Sequence, residues 1–360
     1  MIVAAPVNPN ARLLLTALRI KKMFPSINRR RVVVVEAPCR LHFGFMDLSE
    51  TAERCYGSLG LTLEGLATRL RAEPADDLSA SGPQGERALG SLRLLAQQLP
   101  LPGGVQLTVE TAIPEHVGLG SGTQLALAVG TAVARLYDLD LSPREIARLL
   151  DRGARSGIGV GAFEQGGFIV DGGRRGEAPP PVVSRVPFPE AWRVILIFDR
   201  GARGLHGPEE VEAFRRLPPF SEEAAGRLCR LVLLKALPAL IEADVASFGA
   251  AVSELQRVVG DHFAPAQGGR FASPRVAQAL AWLEAQGVAG VGQSSWGPTG
   301  FAVVGTEVEA LALVRALEVR WGDGGPLSFR VCRARNQGAA WSVEEAQRPG
   351  LQTALRMARR

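Results

Sequence analysis

The sequence predicts an α+β protein of two domains, and three observations predict it. Strand-like and helix-like segments are mixed without a repeating βαβ rhythm, which disfavours a doubly wound sheet. The 360 residues suffice for two domains with real cores. A proline-rich stretch, "EAPPPVVSRVPFPE" (177–190), divides the chain near its middle and reads as a domain boundary. The expected organisation is an extension over 1–30, a first domain over 31–188, a second over 189–345 and a tail over 346–360.

Each element follows from local pattern. "RVVVVEAP" (31–38) is a buried-strand run that stops at Pro38. "LHFGFMDL" and "YGSLGLTLEG" continue as strands with turns, and "LATRLRAEP" alternates with period two. A helix is expected over 85–99, a strand in "GVQLTVETAIP" and a strongly apolar helix over 123–137. Ser142 as N-cap, Pro143 in the first helical position and Glu145 in the third mark a helix over 142–153. "FEQGGFIVDGG" reads as a short strand pair. The second half opens with the strand "WRVILIFD" and the glycine-rich loop "RGARGLHGPEE", followed by helices over 209–259. A capped helix in "SPRVAQALAWLEAQG", the glycine-rich "GVGQSSWGPTGFAVVG", a helix near 307–319 and a last strand in "PLSFRVCRARNQGA" complete the chain. No internal repeat is visible.

Composition excludes several classes. With 46% hydrophobic and 21% charged residues the chain is globular rather than disordered. The net charge of +5 is a mild excess, and only three of the 41 basic residues are lysine (Lys21, Lys22, Lys235). A high-GC genome produces that bias without functional cause; where it matters, arginine forks suit carboxylates and phosphates. No basic arm with interleaved aromatics points to a nucleic-acid partner. Cys39, Cys55, Cys229 and Cys332 form no CxxC pair, so neither a zinc site nor a disulfide framework is expected, and a reducing cytoplasm is the simplest setting. No apolar run reaches the ~20 residues that span a bilayer. Near the start, "LLLTAL" precedes its cations, the reverse of a signal peptide.

Three stretches carry chemistry: "APCRLHFGFMDLSETAERCYGSLGL", "PEHVGLGSGTQLALAVG" and "GQSSWGPTGFAVV". Singly, each is a glycine-rich turn. In this order and spacing they resemble the three motifs of the GHMP superfamily of small-molecule kinases, otherwise associated with ATP. Pro38, Arg40 and Gly44 match the first motif. Pro114, Gly118, Leu119, Gly120 and Ser121 match the second; Gly292, Ser294, Gly297, Pro298 and Thr299 match the third. "HFGFMDL", "ARSGIGVGAFEQGGFIVDGG" and "GQSSWGPTG" are similar to signature segments of one family in that superfamily, the beta-ribofuranosylaminobenzene 5'-phosphate synthases. That likeness runs from Val32 to Ala339.

The resemblance implies a GHMP-type two-domain architecture, with a ribosomal protein S5 domain 2-like first domain and a ferredoxin-like second. It implies condensation of phosphoribosyl pyrophosphate with 4-hydroxybenzoate or 4-aminobenzoate, releasing carbon dioxide and pyrophosphate and forming a C-riboside in tetrahydromethanopterin biosynthesis. Magnesium is the implied cofactor and a homodimer the implied assembly.

Such chemistry needs anion binding, a carboxylate for magnesium or the cationic sugar, and a cation for the benzoate. Gly118, Gly120, Ser121, Gly122 and Thr123 at a helix start suit a phosphate, against the plainer reading of small residues in tight packing. Asp47 is the candidate for magnesium or the sugar cation, and Arg54 for a carboxylate or phosphate; together they also read as a surface ion pair. His42 is a further catalytic candidate or a satisfied histidine between strands. Arg40 joins the binding set from the first motif. Arg155 and Ser156 form a second possible anion site or a helix end. Arg200, Arg203, His206 and Glu209 share a loop that closes over the ribosyl group or is simply solvated. Ser294, Ser295, Trp296, Gly297 and Thr299 complete the binding set, with Trp296 meeting the aromatic acceptor or packing between domains. An ATP-dependent GHMP kinase is the main alternative, with Asp171 the nearest candidate for its base. A non-catalytic metabolite sensor is the third reading.

Overall fold

The computed structural model describes residues 30–49, 53–176, 178–204, 207–322 and 324–345. The extension over 1–29, the tail over 346–360 and His206 lie outside the described residues.

The first sheet is built on two long strands, β1 (Arg31–Asp47) and β2 (Tyr56–Ala75). With β3 (Ser79–Ser81), β4 (Gly104–Thr111), β5 (Phe168–Asp171), β6 (Val182–Val186) and β11 (Ala340–Glu345) it has the order β11-β1-β2-β4-β3, with β5 on the first half of β2 and β6 on β5. β1 does not stop at Pro38. β11 pairs with β1 only as far as Glu36, so Pro38 stands where that side of β1 is unpaired and a missing N–H costs least. "HFGFMDL" is therefore the continuation of one strand, bent by irregularities between Pro38 and Arg40 and between His42 and Gly44.

Four helices cover one face: α1 (Gly85–Gln98), α2 (Ser121–Leu136), α3 (Pro143–Leu149) and α4 (Ile158–Glu164). α3 begins with the expected capping box, Ser142 accepting from the Glu145 N–H while the Glu145 side chain accepts from Ser142. α4 replaces part of the expected strand pair: "FEQGGFIVDGG" ends one helix and forms only β5, which pairs with β2 and β6.

The second sheet comprises β7 (Arg193–Asp199), β8 (Gly290–Gln293), β9 (Gly300–Val304) and β10 (Leu327–Cys332), all antiparallel in the order β10-β7-β9-β8. Helices α5 (Pro208–Arg216), α6 (Glu222–Leu231), α7 (Leu237–Ile241), α8 (Val245–Gln267) and α9 (Pro274–Ala285) lie between β7 and β8, and α10 (Glu307–Leu317) lies between β9 and β10. α9 and α10 pack on one face of this sheet. Reduced to β7-α-β8-β9-α10-β10, this is the ferredoxin-like arrangement.

The other face of the second sheet shares a core with the first. Phe43 of β1 meets Phe168 of β5, Phe248 of α8 and Phe301 of β9, the last edge-on with ring centroids 4.7 Å apart. One apolar cluster therefore runs from Leu41 and Leu61 to Val194 and Val303. The boundary near 188 is a change of sheet within a continuous core, and β11 carries the chain back to the first sheet.

Candidate active site

The glycine-rich loop ends in α2, whose N-cap is Gly120 in the left-handed region (φ 82°), and no side chain caps the first turn. The N–H groups of Ser121, Gly122 and Thr123 belong to that turn, where the helix supplies no acceptor. Two guanidinium groups bracket it. A Cβ on Gly120 would lie 3.1 Å from Arg40, and one on Gly122 would lie 2.9 Å from Arg87 Nη2. Uncapped donors between two cations form an anion cradle. Arg87 also pairs with Glu115.

Gly118 serves a different purpose. Its φ is 82° and its Cβ would fall 2.2 Å from the Ser294 carbonyl oxygen. Its own carbonyl accepts from Arg40 Nη1 at 2.6 Å and from Ser294 Oγ at 2.7 Å. The His42 N–H donates to Ser294 Oγ at 3.0 Å and the Ser295 N–H to the His42 carbonyl at 3.2 Å. The three motifs are thus clamped together, and the third motif acts mainly as a brace on the first two. Thr299 is fully buried behind it and Gly297 (φ 65°) makes its turn.

Arg40 and His42 lie on adjacent same-face positions of β1. Burial pulls the Arg40 pKa down to about 10, with Cys39 and Glu210 acting in the opposite direction, so the group stays cationic at neutral pH. Its Nε is buried without a partner. His42 is 3% exposed, and burial together with the Arg40 charge holds its pKa down to about 3. Neither ring nitrogen has a partner. The irregularity after His42 brings Phe45 beside it, ring centroids 4.7 Å apart. Trp296, 4% exposed, lies 4.3 Å from Phe263 and 5.3 Å from Phe214 between ring centroids. His42, Phe45, Phe263 and Trp296 border a cavity of about 20 Å³.

Other expected site residues lie elsewhere or are engaged. Arg155 pairs with Glu210 of α5 and stacks over the Phe214 ring at 4.6 Å. Ser156 donates to or accepts from Ser58 Oγ at 2.7 Å and accepts from the Ile158 N–H, so its hydroxyl is used in opening α4. Asp47 and Arg54 are not paired with each other: Asp47 accepts from the Ser49 N–H at 2.8 Å, and Arg54 Nη1 donates to the Gly173 carbonyl at 3.1 Å. Asp47 is seven residues beyond Arg40 on β1, roughly 20 Å along the strand. Asp171 is fully buried, and its carboxylate accepts from Gly157 N at 2.9 Å, Gly173 N at 3.0 Å, Ser58 N at 3.2 Å and Ser58 Oγ. With every lone pair so occupied it is a poor candidate for a kinase base. Sequence reasoning missed Arg87, Glu210 and Phe214; the periodicity of their own helices carries no sign of what they face across the fold.

Magnesium finds no ready cage. Among the described residues no three His, Cys, Asp or Glu side chains converge as ligands. Magnesium commonly uses one or two carboxylates plus substrate phosphates; Asp47 is half-buried but stands too far along β1 from the α2 turn to share an ion with a diphosphate bound there. A cavity of about 1050 Å³ lies away from the glycine-rich loop, but its Arg69, Arg333 and Arg335 are paired with Glu110, Glu307 and Glu36.

Comparison with known proteins agrees with the geometry. The GHMP kinases N terminal domain matches residues 86–167, and the GHMP kinases C terminal domain matches 236–323. The beta-ribofuranosylphenol 5'-phosphate synthase of Methanothermobacter thermautotrophicus is 31% identical over 330 residues, covering 85% of this chain and 98% of that protein. The chain belongs to the beta-ribofuranosylphenol 5'-phosphate synthase family. The protein of that name from Methanocaldococcus jannaschii is 33% identical over 254 residues, 62% of this chain and 76% of that protein. The homoserine kinase structure from Cytophaga hutchinsonii aligns with a TM-score of 0.63 at 16% identity, over 89% of this chain and 100% of that one, which supports the shared GHMP fold. Among the described residues no helix is long and apolar enough to cross a membrane.

Proposed function

We propose that this enzyme makes a riboside phosphate by joining phosphoribosyl pyrophosphate to a 4-substituted benzoate. The names of the family's curated members support a ribofuranosylphenol 5'-phosphate product. One observation carries the reading on the structural side: strand β1 presents Arg40 to an uncapped helix start and His42 to an aromatic-walled cavity. One strand thus joins a phosphate site to an aryl site.

In the reaction the ring carbon bearing the carboxylate attacks ribose C1 as the bond to pyrophosphate breaks. The new C–C bond uses ring electrons. The ring then recovers them when its bond to the carboxylate breaks and carbon dioxide leaves. The first turn of α2, with Arg40 and Arg87, holds phosphate oxygens and stabilises the departing pyrophosphate. Arg155, freed from Glu210, is the cation for the benzoate carboxylate. Magnesium bound with the diphosphate would lower the charge on the leaving group, held there by substrate phosphates rather than by Asp47, which lies roughly 20 Å along β1 from Arg40. Tetrahydromethanopterin biosynthesis and a homodimeric assembly belong to the same proposal.

The test is an incubation with magnesium, labelled phosphoribosyl pyrophosphate and carboxyl-labelled 4-hydroxy- or 4-aminobenzoate. Carbon dioxide and pyrophosphate are expected in equal amounts. ATP consumption without pyrophosphate release would overturn the reading in favour of a kinase, and binding without turnover in favour of a sensor. With Asp47 roughly 20 Å along β1 from Arg40, Asp47→Asn is expected to leave turnover within a few fold of wild type; a loss by orders of magnitude would return Asp47 to the site.

A further inference from the structure

We propose that His42 and Trp296 together form a hydroxyl-reading subsite, holding the phenolic hydroxyl of the aromatic acceptor and selecting it over an arylamine. The inference rests on the reading of the acceptor as a 4-substituted benzoate and adds the residues that discriminate its para group.

The polar groups around the small cavity divide sharply. Gln256 donates to the Phe43 carbonyl and accepts from the Gln293 N–H at 2.8 Å. Gln293 accepts from the Ala272 N–H at 2.7 Å and donates to Gln267 Oε1 and the Ser295 carbonyl. Arg270 is held by Asp261 at 2.7 Å. By contrast, His42 Nδ1, His42 Nε2 and Trp296 Nε1 are buried with no partner. Unpaired buried groups of this kind destabilise a fold. Phenylalanine would fill either position without that penalty. Two such residues at one cavity point to a polar group that arrives from outside.

The chemistry of the pair selects that group. Indole N–H donates only, and a neutral imidazole offers one donor and one acceptor. Burial keeps His42 neutral through the physiological range. A hydroxyl accepts from Trp296 and donates to His42 at the same time. An arylamine has two N–H donors and a lone pair delocalised into its ring, so it would set a donor against the indole N–H. The cavity, about 20 Å³, has room for one water-sized group, which matches a hydroxyl and not a whole ring. Phe214 of α5 stands edge-on to Phe45, Phe263 and Trp296 and covers the aromatic cluster. Arg155 lies over the Phe214 ring of the same cluster, so an acceptor whose para hydroxyl sits beside His42 directs its carboxylate toward Arg155.

The experiment compares wild type with Trp296→Phe, which keeps an aromatic ring and removes the N–H. Calorimetry with 4-hydroxybenzoate and 4-aminobenzoate, and kcat/KM for each, give the discrimination ratio. Wild type should prefer the hydroxy acceptor by roughly tenfold to a hundredfold, the range one mismatched buried donor implies. In Trp296→Phe that ratio should fall close to one through loss of hydroxybenzoate affinity. An unchanged ratio would overturn the inference and leave the cavity as the site of a buried water only. Should the variant fail to fold, the Trp296 indole N–H resonance of wild type is followed instead. It should move on addition of phenol and stay still with aniline; equal movement, or none with phenol, would overturn the inference. If phenol moves that resonance but neither benzoate turns over, the reaction assigned above fails while the hydroxyl subsite stands. If both benzoates turn over with equal efficiency, the reaction stands and the subsite fails.

Discussion

Asp171 and His42 are both buried polar groups on the first sheet, yet their surroundings are opposite. Asp171 receives hydrogen bonds from two backbone N–H groups around it, Gly157 and Gly173, and from both the N–H and hydroxyl of Ser58. His42 has no partner on either ring nitrogen. A saturated carboxylate ties a loop, a helix start and two strands into one geometry. An unsatisfied imidazole beside a cavity carries a cost that a polar group entering the cavity would remove. Burial alone therefore does not distinguish a polar residue that ties the fold together from one left open; the hydrogen-bond inventory does.

The largest expected effect breaks the saturated side. Asp171→Ala leaves four buried donors unpaired and should cost at least about 4 kcal/mol, each orphaned donor contributing about 1–3 kcal/mol. Urea denaturation measures it. A loss of turnover at unchanged stability would instead make Asp171 a chemical group and revive the kinase reading. The next test uses pH on the unsatisfied side. The folded His42 pKa, about 3, lies below its ordinary 6.5, so the unfolded chain takes up a proton there that the folded chain refuses. The stability difference between wild type and His42→Phe should be constant above pH 6.5. As pH falls from there toward 3, wild type should lose about 1.4 kcal/mol per unit relative to the variant. Parallel profiles would show that His42 is charged or paired in the folded protein.

A smaller effect is expected where the two halves of the site meet. Glu210 holds Arg155, so Glu210→Gln should tighten 4-hydroxybenzoate binding about threefold to tenfold, within the range measured for partly exposed charge pairs and their hydrogen bonds. Weaker binding would mean that Glu210 supports the site rather than competes for it. The smallest is Ser294→Ala, which removes the hydroxyl joining the His42 N–H to the Gly118 carbonyl and should lower stability by about 1 kcal/mol. A thermal melt would detect it.

Much of this was legible in the sequence for local reasons. The Ser142–Glu145 capping box, the proline at the start of α3 and the glycines of the α2 turn act within a few residues, so spacing reveals them. The uninterrupted β1 was not legible, because a proline normally ends a strand and only the reach of β11 makes Pro38 harmless. Arg54 and Asp47 are seven residues apart in sequence, yet the fold gives them different partners, Gly173 for one and Ser49 for the other.

The sequence by itself determined the fold, the helix start that cradles an anion and the three motifs that accompany it. Those depend on backbone conformation and local hydrogen bonding, which particular residue types enforce. Tertiary structure alone decided what the motifs do for one another. It made Gly118 a docking surface for Ser294, closed the hydrogen-bond shell of Asp171 and left His42 and Trp296 open at a shared cavity. Whether a buried polar group is satisfied depends on atoms supplied by residues far away in the chain, and no local pattern records them.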